Sequence, residues 1–158
     1  MADTGYISLI LALAAAVLSA ILFLVGVRGR HAKLEAWARK SLLAVCGLVS
    51  VSVAILLAAI LSHNFQIEYV VSYSSRDTSL VYLVSALWAG NAGSLLFWAW
   101  LLSLLATIVT LRRGGKNEAL VPCASIVLML TEGFFLVLLI VVSNPFHELT
   151  VAPADGRG

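Results

Sequence analysis

The sequence predicts an all-α polytopic membrane protein with four transmembrane helices and a short interfacial helix before the third span. Composition is the first reason: hydrophobic residues make up 61% of the 158 and charged residues 11%. A soluble domain of this size needs far more polar side chains to cover its core, so the bilayer is the expected solvent. Length is the second. Four apolar runs each approach the ~20 residues that a helix rising ~1.5 Å per residue needs to cross a ~30 Å hydrocarbon layer. A glycine pair inside the third run is the last, because it divides a stretch too long for one ordinary span. The chain is expected to form one transmembrane domain over 1–158, with spans at about 6–27, 41–61, 93–111 and 120–142 and the interfacial segment at about 80–88.

Tyr6 to Val27 carries no charge. No basic residue precedes Arg28, as one would in a signal peptide, so this segment is expected to be an uncleaved span. Ser41 to Leu61 supplies the second. The run from Leu80 to Leu111 splits at Gly90 and Gly93, leaving Leu80 to Trp88 as the interfacial piece. Trp88, Trp98 and Trp100 are then expected near one membrane surface, where indole rings settle. In the fourth span, Pro122 falls in the first turn, where a missing N–H costs little, and Asn144-Pro145 ends the helix. Val151 to Gly158 is polar and rich in Gly and Pro and reads as the start of a loop.

Basic residues set the expected orientation. Arg28, Arg30, Lys33, Arg39 and Lys40 lie in the first connection and Arg112, Arg113 and Lys116 in the third. Between Ser62 and Ser79 there is only Arg76, and after Val142 only Arg157. The positive-inside rule puts the first and third connections in the cytoplasm. Both termini, the 62–79 loop and the tryptophan cluster then face outward. The net charge of +2 says nothing about nucleic acid, but the basic residues do not form the long cluster that such a partner needs, and none is expected.

Candidate chemical groups are few. Glu132 is the only acidic side chain inside an expected span, where an ionisable group costs a few kcal/mol or more. It is either a proton or cation site or a carboxyl buried against neighbouring helices. His31 belongs to the basic connection as a solvated residue. His63 and His147 end the second and fourth spans on the same side and are weak candidates for haem-iron ligands. Cys46 and Cys123 form no CxxC or CxxCH motif and are expected to be inert buried thiols. No spacing suggests a nucleophile with its base, a metal centre or a phosphate loop. The Gly90–Gly93 pair suits close packing or a helix break, with Ser94 placed to satisfy a freed backbone group.

The segment Trp88, Gly90, Gly93, Ser94, Leu95, Leu96, Phe97, Trp98 resembles the Trp- and Gly-rich motif in the amino-terminal part of the CcmF-type cytochrome c haem lyase family. Phe65-Gln66-Ile67-Glu68-Tyr69-Val70, Ser74-Ser75 and Tyr82 are similar to that family's outer loop. Ser143-Asn144-Pro145-Phe146 resembles its exit from the fourth span, and Asp155-Gly156 the point just before a Leu-Asn-Pro segment. Ala92, where an acid is frequent, Val84, in a region often basic, and Glu132 depart from the pattern.

The resemblance implies the amino-terminal quarter of a family member, from a split gene or a truncated chain. It implies a second Trp-rich segment and haem-ligating histidines beyond Gly158; His63 and His147 match no family haem ligand. Haem b is then carried by the complex and not ligated by this chain. The chain itself is at most a non-catalytic part of the lyase complex, a scaffold in a bacterial inner membrane. Its partners are the remainder of the lyase on another polypeptide, other cytochrome c maturation subunits, a haem chaperone, apocytochrome c and membrane lipid. Trp88, Gly90, Gly93, Ser94 and Trp98 are the expected docking residues for the haem-bearing part. The alternative is a small proton-coupled transporter using Glu132.

Overall fold

The structure is a computed structural model that describes residues 1–29, 31–111 and 120–157. The elements run in the order α1 (Ala2–Gly29), α2 (Ala32–Leu61), α3 (Glu68–Tyr73), α4 (Leu80–Ser85), a 3₁₀ turn (Ala86–Trp88), α5 (Asn91–Leu111) and α6 (Val121–Val141). Four of these, α1, α2, α5 and α6, are long and apolar enough to cross a membrane. α1 packs on α2 and α6, and α5 packs on α2 and α6, closing a four-helix ring.

Small residues let the helices approach. On α1 the buried face is Gly5, Leu9, Ala12, Ala16, Ala20 and Phe23, a three-to-four residue repeat, while Ile7, Leu11, Val17, Leu18 and Ile21 point outward. Lipid tails are as apolar as leucine, so side-chain hydrophobicity alone cannot join such helices; close contact and interhelical hydrogen bonds do. Ser19 Oγ donates to the Ala38 carbonyl at 2.9 Å, Ser41 Oγ to that of Ala15 at 2.9 Å, and Ser52 Oγ to that of Gly5 at 3.2 Å. These three bonds also fix α1 and α2 as antiparallel. α5 and α6 are tied at one end by Asn91 Nδ2 donating to Ser143 Oγ at 3.0 Å and at the other by the Thr110–Ser125 hydroxyl pair, also at 3.0 Å.

Three features go beyond the sequence expectation. α2 begins at Ala32, not near Ser41, because Ala32 to Lys40 is charged yet rich in good helix formers. There Lys40 Nζ lies 4.8 Å over the exposed Trp37 ring, and Arg39 donates to the Thr110 carbonyl at 3.2 Å near the C-terminal end of α5, where a cation is favoured. The 62–79 connection holds α3. The tail is a loop, as expected, but an anchored one. Ile67 and Glu148 form an antiparallel bridge. Arg157 N–H donates to the Val71 carbonyl at 2.7 Å and Arg76 N–H to the Asp155 carboxylate at 3.0 Å. The N–H groups of Arg76 and Gly156 hold that carboxyl below its ordinary range. Arg30, Arg112, Arg113 and Lys116, which carry much of the orientation argument, lie outside the described residues.

Candidate functional site

The site is the corner where the 3₁₀ turn meets α5. Trp88 closes the turn, Gly90 is buried, and Asn91 opens α5. Ser94 N–H donates to the Gly90 carbonyl at 2.9 Å, and Ser94 Oγ donates to the Trp88 carbonyl at 2.7 Å. A backbone break between the 3₁₀ turn and α5 leaves carbonyls unpaired, and this hydroxyl satisfies one of them.

Both glycines are required by what approaches them. A Cβ on Gly90 would overlap the Tyr73 ring; one on Gly93 would overlap the Tyr69 hydroxyl and the Leu87 carbonyl. Tyr69, from α3, reaches into the corner. Its hydroxyl lies 2.9 Å from the Ala86 carbonyl and 3.3 Å from that of Leu87, and it accepts the Gly90 N–H at 3.1 Å. Burial pushes its pKa up to about 12, partly offset by the hydrogen bond from Gly90, with Tyr73 adding to the rise. Sequence reasoning singled out the glycines and missed the tyrosine that fills the space they leave. The available signal was the pair itself, since two close small residues need an occupant.

On the exposed side of the corner, Trp88 is 46% and Trp98 60% exposed. With Phe97 and Ser94 they line an open, largely apolar pocket of about 330 Å³, in which the Trp88 and Phe97 rings lie 5.6 Å apart. Trp100 differs: it turns inward and donates through Nε1 to Ser50 Oγ of α2 at 2.9 Å.

The remaining candidates lie elsewhere. Glu132 is wholly buried, and neither carboxylate oxygen has a hydrogen-bond partner among the described residues. Seven residues along each helix from the Thr110–Ser125 pair bring Ser103 of α5 level with it. His63 has φ 52° just past α2 and packs edge-on to Phe65 at 6.0 Å. His147 lies in different surroundings, its Nδ1 3.1 Å from the Glu68 carboxylate. His31 is the residue before α2, and its carbonyl accepts the Leu34 N–H at 3.0 Å. The cysteines need correction: Cys46 is half-buried, but Cys123 is exposed, because it lies in the first turn of α6 beside Pro122 and not in the middle of a span. Among the described residues no group of three or more His, Cys, Asp or Glu is arranged to hold a metal ion.

No protein-family model matches the chain. Among curated proteins it is 32% identical over 155 residues to the cytochrome c-type biogenesis protein ccl1 of Rhodobacter capsulatus, covering 98% of this chain and 24% of that protein. It is 31% identical over 159 residues to cytochrome c-type biogenesis protein CcmF of Haemophilus influenzae, covering 99% and 24%. With CycK of Rhizobium meliloti, also a cytochrome c-type biogenesis protein, the identity is 30% over 98% of this chain and 23% of the relative. A solved structure described as cytochrome c heme lyase CcmF shares the fold, with a TM-score of 0.81 and 24% identity over 92% of this chain and 24% of that one. The chain thus spans about a quarter of the length of the curated relatives it matches.

Proposed function

This chain belongs with the CcmF-type cytochrome c-type biogenesis proteins, to about a quarter of whose length it corresponds, and we propose that it is the membrane scaffold portion of a cytochrome c haem lyase, supporting haem delivery and attachment to apocytochrome c. The observation that carries the proposal is the match over 98% of the chain to proteins of that single process. The same match favours this reading over a proton-coupled transporter. The activity belongs to the assembly, and the chain serves it without catalytic residues of its own.

In this proposal the chain forms a single transmembrane domain in a bacterial cytoplasmic membrane, with both termini and the Trp-rich corner outward. The corner, through Trp88, Gly90, Gly93, Ser94 and Trp98, docks the remainder of the lyase on another polypeptide. That larger assembly carries haem b and meets the other maturation subunits, a haem chaperone and apocytochrome c. Two features support the docking role. The pocket beside Trp88 and Trp98 is open and apolar, and the corner behind it is held by the three contacts of the Tyr69 hydroxyl. Exposed aromatics on a rigid support are the usual anchors of an interface.

The test is co-purification of the tagged chain from its native membrane in mild detergent. The expected result is a co-eluting polypeptide of cytochrome c biogenesis together with haem. Gly93→Leu, which cannot be accommodated against Tyr69 and Leu87, should abolish co-elution and cytochrome c maturation. Normal maturation in that variant would sink the docking role.

A further inference from the structure

The end of the bundle where α5 starts and α6 finishes carries a second cavity that shares no lining residue with the Trp88–Trp98 pocket. It is a cleft of about 560 Å³ between α3, α5 and α6. Its level follows from α6, whose span Val121–Val141 is 21 residues. At ~1.5 Å per residue that is ~31 Å, which matches a ~30 Å hydrocarbon layer. A cleft at the end of that helix therefore lies level with lipid headgroups.

The lining has an apolar part and a polar, aromatic part. Ile140, Val141 and Val142 form the apolar wall, and the last two are 74% and 70% exposed. At the end of a membrane helix such side chains meet acyl chains. The polar part is anionic: it contains the Glu68 carboxylate, and its described residues include no Lys or Arg.

Glu68 is held in place by His147. Its N–H donates to the His147 carbonyl at 2.9 Å, and its Oε2 lies 3.1 Å from His147 Nδ1. A neutral imidazole donating there orients the carboxylate without cancelling its charge. A carboxylate has about four acceptor sites, so Glu68, 58% exposed, keeps capacity for another donor. Tyr73 lines the same cleft, its ring 4.7 Å from that of Tyr69, and aromatic faces attract ammonium groups. Two lining amides can donate. Asn91 Nδ2 carries two hydrogens and gives one to Ser143 Oγ. Asn144 accepts the Phe146 N–H through Oδ1 at 2.9 Å, which leaves Nδ2 as its donor.

An acceptor carboxylate, aromatic faces, amide donors and an acyl-facing wall match a zwitterion carried on a lipid. The ammonium suits Glu68 and the phosphate oxygens suit the amides. A quaternary ammonium has no N–H to give the carboxylate, and an anionic headgroup meets a like charge, so both are selected against. We propose that this cleft binds the headgroup of a phospholipid bearing a primary ammonium, with Glu68 as the residue that selects it. The proposal rests on the spanning helices and not on the haem lyase reading.

The test is native mass spectrometry of the full chain in mild detergent, titrated with phosphatidylethanolamine, phosphatidylglycerol and phosphatidylcholine of the same acyl chains. One saturating equivalent of phosphatidylethanolamine is expected, about tenfold or more tighter than the other two, as suits a hydrogen bond to a charged group. Glu68→Gln keeps the shape and removes the charge. It should bring the three affinities within about threefold of one another, with unchanged tryptophan emission showing that the fold is intact. Glu148→Gln removes an exposed carboxylate that does not line the cleft and should keep the preference. Equal affinity of the three lipids for the wild-type chain, or an undiminished preference in Glu68→Gln, overturns the site. Soluble glycerophosphoethanolamine should compete poorly, because it has no acyl chains for the α6 wall; competition equal to that of the whole lipid would overturn the lipid in favour of a free amine. Absence of lipid binding, with a polypeptide whose co-elution is lost in Glu68→Gln, would overturn it in favour of a protein partner.

Discussion

Tyr69 shows how one side chain can hold a corner that its own sequence neighbourhood does not announce. Its hydroxyl lies within bonding distance of two carbonyls of the 3₁₀ turn and accepts one N–H at the glycine step. A buried hydrogen-bonding group of this kind contributes about 0.5–1.5 kcal/mol, and leaving its partners unpaired costs about 1–3 kcal/mol. Tyr69→Phe should therefore lower stability in detergent by roughly 1–3 kcal/mol and loosen Trp88, read as a changed tryptophan emission. The pH dependence has a defined sign. Burial pushes the Tyr69 hydroxyl up to about 12 in the folded chain, from an ordinary tyrosine value of 10.0. Its contribution is complete below pH 10 and is lost as pH rises through about 12. Tyrosinate absorbance should show a step near pH 12 that is missing from Tyr69→Phe. A step completed near pH 10 for Tyr69 would contradict its buried environment.

At the scale of elements, the stripe Ala12, Ala16, Ala20 on α1 determines how closely α2 and α6 can approach. Ala16 has no exposed surface. A leucine there adds three carbons to a closed contact, and overpacking of this kind costs about 1–3 kcal/mol. Ala16→Leu should lower the unfolding midpoint in detergent, whereas Val17→Leu, on the lipid face at 49% exposure, should leave it unchanged. Equal effects would mean that the stripe is not the packing seam. The four spans were legible in the sequence because apolar length alone identifies a membrane helix, and the 80–88 segment because Gly90 and Gly93 break the run after it. Neither the start of α2 nor α3 was legible. Charge between Ala32 and Lys40 interrupts hydropathy without interrupting helicity. Glu68 to Tyr73 is only six residues, held by the Tyr69 contacts and the bridge to Glu148, which join residues far apart in sequence. The corner's glycines were visible for the same reason that Tyr69 was not: a missing side chain marks its own position, while its occupant comes from another element.

At the scale of the whole molecule, aliphatic side chains point outward as well as inward, and a few hydroxyls lie within the apolar core. Most interior hydroxyls are partnered, through the Ser19, Ser52, Ser103 and Thr110 bonds. Glu132 is the exception: it is fully buried on α6, yet among the described residues both its oxygens are unpartnered, as is the hydroxyl of Thr107. A buried polar group without a partner is a net cost, and replacing it by an apolar group of similar shape is often neutral or stabilising. If Glu132 only occupies space, Glu132→Met should raise the unfolding midpoint of the isolated chain in detergent, and Glu132→Gln should leave co-elution with the rest of the assembly intact. The opposite pattern has a distinct meaning. A Glu132→Met chain that is stable alone but no longer matures cytochrome c would show that the carboxyl acts in the assembled complex, where its oxygens gain a partner that the single chain does not supply.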